Sequence, residues 1–186
     1  MTLARKPTRE ELDAATGRSM PDVIGPRLRV LFCGINPSLY SVVVGYHFAR
    51  PGNRFWPTLH AAGITPRRLQ PSEPGELLAR GYGITNVVDR ATATADMLDD
   101  AELREGAKSL EAKVRRYRPR FLAVLGVSAY RTAFGRPKAR PGLQPEVIGP
   151  TRLWVLPNPS GLNAHYQLED LARLFAELRR AVEEEA

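Results

Sequence analysis

Four short apolar runs constrain the fold of this 186-residue chain more than any other feature. Leu28–Gly34, Gly83–Val88, Phe121–Gly126 and Leu153–Pro157 are near-continuous stretches of branched and aromatic residues. A strand with one wet face alternates apolar and polar residues. A strand buried on both faces has no need to, so such runs belong in the centre of a parallel sheet. Helix-length segments lie between them. Leu103, Ala107, Leu110, Val114 and Tyr117 recur at steps of 3 and 4 and predict a helix from about Ala101 to Tyr117. Leu171, Phe175, Leu178 and Val182 do the same for a C-terminal helix, and Asn53–Ala62 and Pro74–Arg80 are shorter candidates. Strands alternating with helices, with no hairpin signal, predict a three-layer α/β/α sandwich around a mainly parallel four-stranded sheet. Residues 1–26, broken at Gly17, Pro21 and Pro26, read as an N-terminal arm, packed on the domain or partly disordered. Residues 27–186 read as one domain.

Composition narrows the function classes. With 43% hydrophobic and 25% charged residues the chain reads as soluble and globular. No run approaches the ~20 apolar residues of a membrane span. The basic N-terminus is followed by no apolar stretch of a secretory signal, so no membrane and a cytoplasmic location are expected. The single cysteine, Cys33, excludes an internal disulfide and any four-cysteine metal site, and sits in a strand as a small core residue. His47 and His60 lack metal-ligand spacing, though His47, next to Phe48, is placed to line a pocket, and neither a phosphate-binding loop nor a dinucleotide fingerprint occurs. Neither a metal nor a cofactor is expected.

In open parallel sheets, ligands bind beyond the carboxyl ends of the strands. Four segments fall there: Gly34–Ser38, Asp89–Arg90, Gly126–Ser128 and Asn158–Leu162. The first and last each carry Asn-Pro-Ser directly after a strand. An Asn before Pro is held out of the helical region, so both are turns, and two such turns on neighbouring strands would face across one crevice. Asp89 is expected to point into that crevice, either to activate water or stabilise a cationic sugar, or to pair with Arg90 or cap a nearby backbone N–H. Ser128 opens a helix, as an N-cap, as a ligand for a phosphate, or as both.

These segments carry a resemblance. Gly34-Ile35-Asn36-Pro37, Phe48-Ala49-Arg50-Pro51-Gly52-Asn53-Arg54-Phe55-Trp56, Thr85-Asn86-Val87-Val88-Asp89-Arg90 and Trp154-Val155-Leu156-Pro157-Asn158-Pro159-Ser160-Gly161-Leu162 appear in that order. Together they resemble the mismatch-specific uracil-DNA glycosylase / thymine-DNA glycosylase family, colinearly from about Val30 to Leu178. The resemblance implies a monofunctional DNA glycosylase that cleaves the N-glycosidic bond of uracil, or a related pyrimidine lesion, in mismatched double-stranded DNA. By position, Asn36 matches the catalytic Asn that orients water, Phe48 the aromatic that stacks on the extruded base, and Ile35 the wall of the base pocket. Gly161 and Leu162 match the loop that wedges into the duplex. The chain departs from the family at Ser38, where Gly is usual, adding a hydroxyl at the pocket mouth. Asn163 and Ala164 stand where relatives often carry Ser and Arg, so a contact to the widowed base is either absent or falls to His165 or Tyr166. Asn158 stands where other uracil glycosylases carry a His that stabilises the leaving base; it can donate from its amide or simply bond its own turn.

The residue types suit the reaction implied. The bond lies inside the base stack, so the nucleotide must be flipped out at a cost of about a few kcal/mol. A leucine can fill the gap, and an aromatic face returns on the order of 1–3 kcal/mol of stacking. Asn36 carries no proton that titrates near neutrality, so it orients water rather than deprotonating it. No lysine falls in the matched motifs, which agrees with hydrolysis without a Schiff base. The expected partner is a duplex with a G·U pair, bound by a monomer. The rival readings are a non-catalytic module for damaged or abasic DNA and an enzyme of free nucleosides, the latter opposed by the wedge.

The charge points the same way. The net charge is +7, and 23 of the 27 bases are Arg, a skew that codon usage alone can produce. From Ala112 to Pro145, however, there are 9 basic residues and no acidic one. Within this window Arg136, Lys138 and Arg140 form a Pro- and Gly-flanked segment expected to track a DNA backbone beside the crevice, with salt-sensitive binding.

Overall fold

A computed structural model describes residues 5–186. Five strands form its sheet: β1 (Val30–Gly34), β2 (Tyr82–Asn86), β3 (Phe121–Leu125), β4 (Gly142–Ile148) and β5 (Thr151–Leu156), in the spatial order β2-β1-β3-β5-β4. The four apolar runs are the four parallel strands. All five residues of β1, β2 and β3 are buried, as a central parallel strand requires. The sheet expected to have four strands has a fifth. β4 pairs antiparallel with β5 through a tight turn at Gly149-Pro150, where Gly149 has φ 55. Pro145 and a register shift between Leu143 and Val147 mark β4 as an edge strand, since a proline cannot donate to a ladder.

Alternation along β1 sorts the core into two layers. Val30 and Phe32 face α3 (Phe55–Ala61) and α7 (Leu168–Glu184), where the Phe32 ring meets Phe55 edge-on at 5.4 Å and Phe175 face-on at 6.1 Å. Leu31 and Cys33 face α5 (Asp100–Tyr117) and α6 (Val127–Ala133). The periodic residues Leu103, Ala107, Leu110 and Val114 of α5, and Leu171, Phe175, Leu178 and Val182 of α7, are all buried. Each large side chain among them contributes roughly 1.5–3 kcal/mol by leaving water. Asp99 caps α5, its carboxylate accepting from the Glu102 N–H while Glu102 accepts from the Asp99 N–H.

The remaining helices are short: α1 (Arg9–Ala14), α2 (Leu39–Val44) and α4 (Pro74–Ala79). Ala15, after α1, is fully buried beside Val42 and Ala91. Val23 then exchanges two backbone hydrogen bonds with Ile84 along the free edge of β2, at 2.9 and 2.7 Å. Asp22 joins Lys113 of α5 at 2.5 Å and accepts from the Thr85 hydroxyl. Among the described residues no helix is long and apolar enough to cross a membrane.

Candidate active site

The carboxyl ends of β1, β2 and β5 open on a cavity of about 100 Å³, and a second of about 480 Å³ adjoins it. Asn36, Phe48, Ser38 and Asn86 line the smaller one, Ser128, His165 and Tyr166 the larger, and Ile35, Asn158 and Leu162 both. The two Asn-Pro-Ser turns therefore face one crevice.

Asn36 follows β1, and its side chain is fixed from behind. Its Nδ2 donates to the Arg90 carbonyl at 2.9 Å and to the Thr92 hydroxyl at 2.8 Å. Thr92, only 2% exposed, passes its own hydroxyl proton to the Thr94 carbonyl at 2.7 Å, so it can only accept from Asn36. Both amide protons are thereby committed, and Oδ1 is left without a partner among the described residues: an acceptor fixed in orientation at the cavity wall. The Arg90 guanidinium in turn grips Glu102 in the first turn of α5, which holds the Glu102 carboxyl down at about 2.

Phe48 sits at φ 53, an uncommon conformation for a residue with a side chain, and stacks on Phe55 with centroids 4.1 Å apart. Beside it His47 is 6% exposed, and its Nε2 is 2.8 Å from the Pro21 carbonyl, which makes Nε2 the protonated nitrogen. Burial pushes the His47 pKa below its ordinary value of 6.5, so the ring is neutral at neutral pH. Asn86, the last residue of β2, is 7% exposed, lines the smaller cavity, and makes no side-chain hydrogen bond among the described residues. Gly34 makes room for it: a Cβ there would lie 2.6 Å from Asn86 Oδ1 and 3.2 Å from the Phe48 ring. Sequence reasoning gave Asn86 and Thr92 no role; His47, expected to line the pocket beside Phe48, does line the smaller cavity. The signal for Asn86 was its polarity at the carboxyl end of a buried strand.

The Ser38 hydroxyl lines the cavity but is spent as the N-cap of α2, accepting from the Ser41 N–H at 3.1 Å and donating to the Ser41 hydroxyl at 3.0 Å. For Asn158 both readings coexist: Oδ1 accepts from the Ser160 N–H at 3.0 Å within its own turn, which leaves Nδ2 free to donate. Leu162 is 64% exposed on the ridge between the two cavities. Gly161 packs so closely that a Cβ would meet the Gly52 carbonyl at 2.7 Å. Asn163 is committed to its loop, donating to the Asn158 carbonyl and accepting from the His165 N–H.

Two expectations need correction. Asp89 is exposed and lines neither cavity: β2 ends at Asn86, and the chain then turns along β1, the Val88 N–H bonding the Ile35 carbonyl. Nor does Asp89 hold Arg90, whose partner is Glu102. Ser128 is not the N-cap of α6; Gly126 takes that position without a side-chain bond, and Ser128 is exposed two residues on, within the first turn. Arg136, Lys138 and Arg140 lie outside the lining of both cavities. Arg136 instead pairs with Glu146 at 2.5 Å in a separate cavity between α5, α6 and β4. The acid-free window is also less positive in space than in sequence, since Glu111 pairs with Arg115 and Asp22 with Lys113.

Comparison with known proteins agrees with this geometry. The sequence matches the family model of the Uracil DNA glycosylase superfamily over residues 21–182. The fold is similar to the solution NMR structure of a candidate uracil DNA glycosylase from Methanosarcina acetivorans, with a TM-score of 0.59 and 20% identity, over 88% of this chain and 98% of that one. With the two turns facing one crevice and the family match running through both, this chain belongs to the uracil DNA glycosylase superfamily.

Proposed function

We propose that this protein is a monofunctional DNA glycosylase that hydrolyses the N-glycosidic bond of uracil, and of related pyrimidine lesions, in mismatched double-stranded DNA. The observation that carries the reading is the double anchoring of the Asn36 amide. With both protons held by Arg90 and Thr92, the group presents an acceptor and nothing else, as needed to hold a water in line with the sugar carbon. An asparagine cannot take the proton as a base, so its contribution is orientation. Burial lowers the His47 pKa, which makes its imidazole a weaker base than an ordinary histidine.

The surrounding groups fit the rest of the task. The Asn86 amide offers both a donor and an acceptor to the hydrogen-bonding edge of a pyrimidine, and Phe48 lies beside it as a stacking face. The Asn158 Nδ2 can donate to the departing base anion, an interaction that strengthens as charge develops. Leu162 on its ridge suits the gap left by the flipped nucleotide. Wedge contacts survive loss of the base, so slow release of the abasic product is part of the reading.

The test is a labelled duplex carrying one G·U pair, incubated with the protein and treated with alkali. Scission is expected with the wild-type chain, about 10²-fold slower with Asn36→Ala, and within a few-fold of wild type with Asp89→Ala. Absence of scission together with retained binding to an abasic duplex would replace this reading with a non-catalytic damage-binding module.

A further inference from the structure

The loop from Pro157 to Gln167 joins β5 to α7, has no regular secondary structure, and carries both Asn158 and Leu162. Bonds within the loop shape its turns, but what fixes it to the rest of the domain lies outside it. Arg54 precedes α3, and its guanidinium donates to three loop carbonyls: Ser160 at 2.6 Å, Asn163 at 3.0 Å, and Tyr166. Its backbone N–H donates to the Pro159 carbonyl at 2.9 Å. Three carbonyl dipoles converging on one point repel each other unless a cation sits between them. Arg54 is that cation. It is in no ion pair among the described residues, and its Nε is buried without a partner, so the bonds that compensate its burial run to this loop. Its neighbours in sequence face the other way: Asn53 lines the base cavity and Phe55 stacks on Phe48.

We infer that Arg54 is the positioning residue of the wedge: it holds the β5–α7 loop, and Leu162 with it, in the shape that enters the duplex, and ties that shape to the base cavity. This rests on the glycosylase reading for its consequence and on the loop contacts for its cause. A loop ordered in advance spends no binding energy on being ordered when DNA arrives. A loop without its cation must be ordered by the DNA, and flipping becomes less favourable.

The experiment is a double-mutant cycle with wild type, Arg54→Met, Leu162→Ala and the double variant. The substrate is a duplex with one G·U pair and an adjacent 2-aminopurine, whose fluorescence rises when its neighbour leaves the stack. Arg54→Met is expected to lower kcat/KM by about 10- to 100-fold and to reduce the fluorescence rise. The double variant should fall within about three-fold of the worse single one, because the two changes remove the same function. Arg54→Lys, which keeps the charge and fewer donors, should recover part of the loss, and it carries the same cycle if Arg54→Met does not fold. Multiplying effects would overturn the inference, because a general loss of stability would not be masked by Leu162→Ala. So would an unchanged fluorescence rise in Arg54→Met. Binding of the same four proteins to a duplex with a stable abasic analogue separates the two claims. Coupled losses there, without cleavage of uracil by wild type, would reject the glycosylase reading and keep the inference. No binding by wild type would reject both.

Discussion

Replacing Thr92 by Val tests the anchoring of Asn36 with little change of shape. Thr92 accepts from Asn36 Nδ2 at 2.8 Å, donates to the Thr94 carbonyl at 2.7 Å, and is 2% exposed. Valine fills the same space and removes both bonds. One Asn36 proton then loses its acceptor in a partly buried site, a loss of about 1–3 kcal/mol in folding stability. The effect on the reaction differs in kind. Two acceptors keep Oδ1 turned to the cavity in the wild-type chain; with only the Arg90 carbonyl left, that preference drops by roughly 1.4 kcal/mol, a factor of about ten in correctly oriented amide. Single-turnover cleavage of a G·U duplex should therefore slow about ten-fold, KM should move less, and Thr92→Ser, which keeps the oxygen, should stay near wild type. A Val variant cleaving at the wild-type rate, or a Ser variant as slow as Val, would refute the assignment of Oδ1 as the group that orients water.

Other perturbations bear on the base cavity. Gly34→Ala places a Cβ 2.6 Å from Asn86 Oδ1 and 3.2 Å from the Phe48 ring, so both must shift. Steady-state kinetics should show KM rising more than kcat falls, with a stability loss of about 1–3 kcal/mol by denaturant titration. His47, its pKa lowered by burial, stays neutral in the folded chain at pH values where the unfolded chain already binds a proton. The unfolded state is therefore favoured as pH falls below about 6.5, and stability should decline from there downward. His47→Gln, which can still donate toward the Pro21 carbonyl, should show a flatter profile in the same titration.

The parallel core was legible because burial on both faces writes a continuous apolar run, and α5 and α7 because their buried stripes repeat at helical spacing. β4 was not. Its sequence, Gly-Leu-Gln-Pro-Glu-Val-Ile, mixes Pro145 and charge with residues that stay exposed, since an edge strand has little to bury and a partner on one side only. α2 escaped too, a single helical run of Leu-Tyr-Ser-Val-Val-Val whose three β-branched valines favour strand, held by a Ser38 cap that was read as part of the pocket. Asn36, Asn158 and Leu162 were placed at the crevice because motif and strand end coincided, and Phe48, which follows α2, through the resemblance alone. Asp89 was misplaced because the strand was extended two residues beyond its true end, and the residue the strand-end rule should have selected was Asn86. Counting along the chain also does not see that Glu146 comes back beside Arg136, so the basic window carries less free charge in space than in sequence.

The bridge between Val23 and Ile84 has a bearing on where the folded unit begins. A sheet with an open edge invites another chain to pair with it, and this sheet closes its two edges by different devices. On one side β4 is broken by Pro145 and a register shift; on the other, residues just before the first core strand lie along β2 and take up both backbone groups of Ile84. A fragment starting at residue 27 would lose α1 but keep α2 to α7 and all five strands. It would also present Tyr82–Asn86 as a bare edge and remove the carbonyl that holds His47. Self-association and a loosened base cavity would then have one origin, and the segment read from sequence as an appendage would be part of the smallest unit that is both soluble and competent.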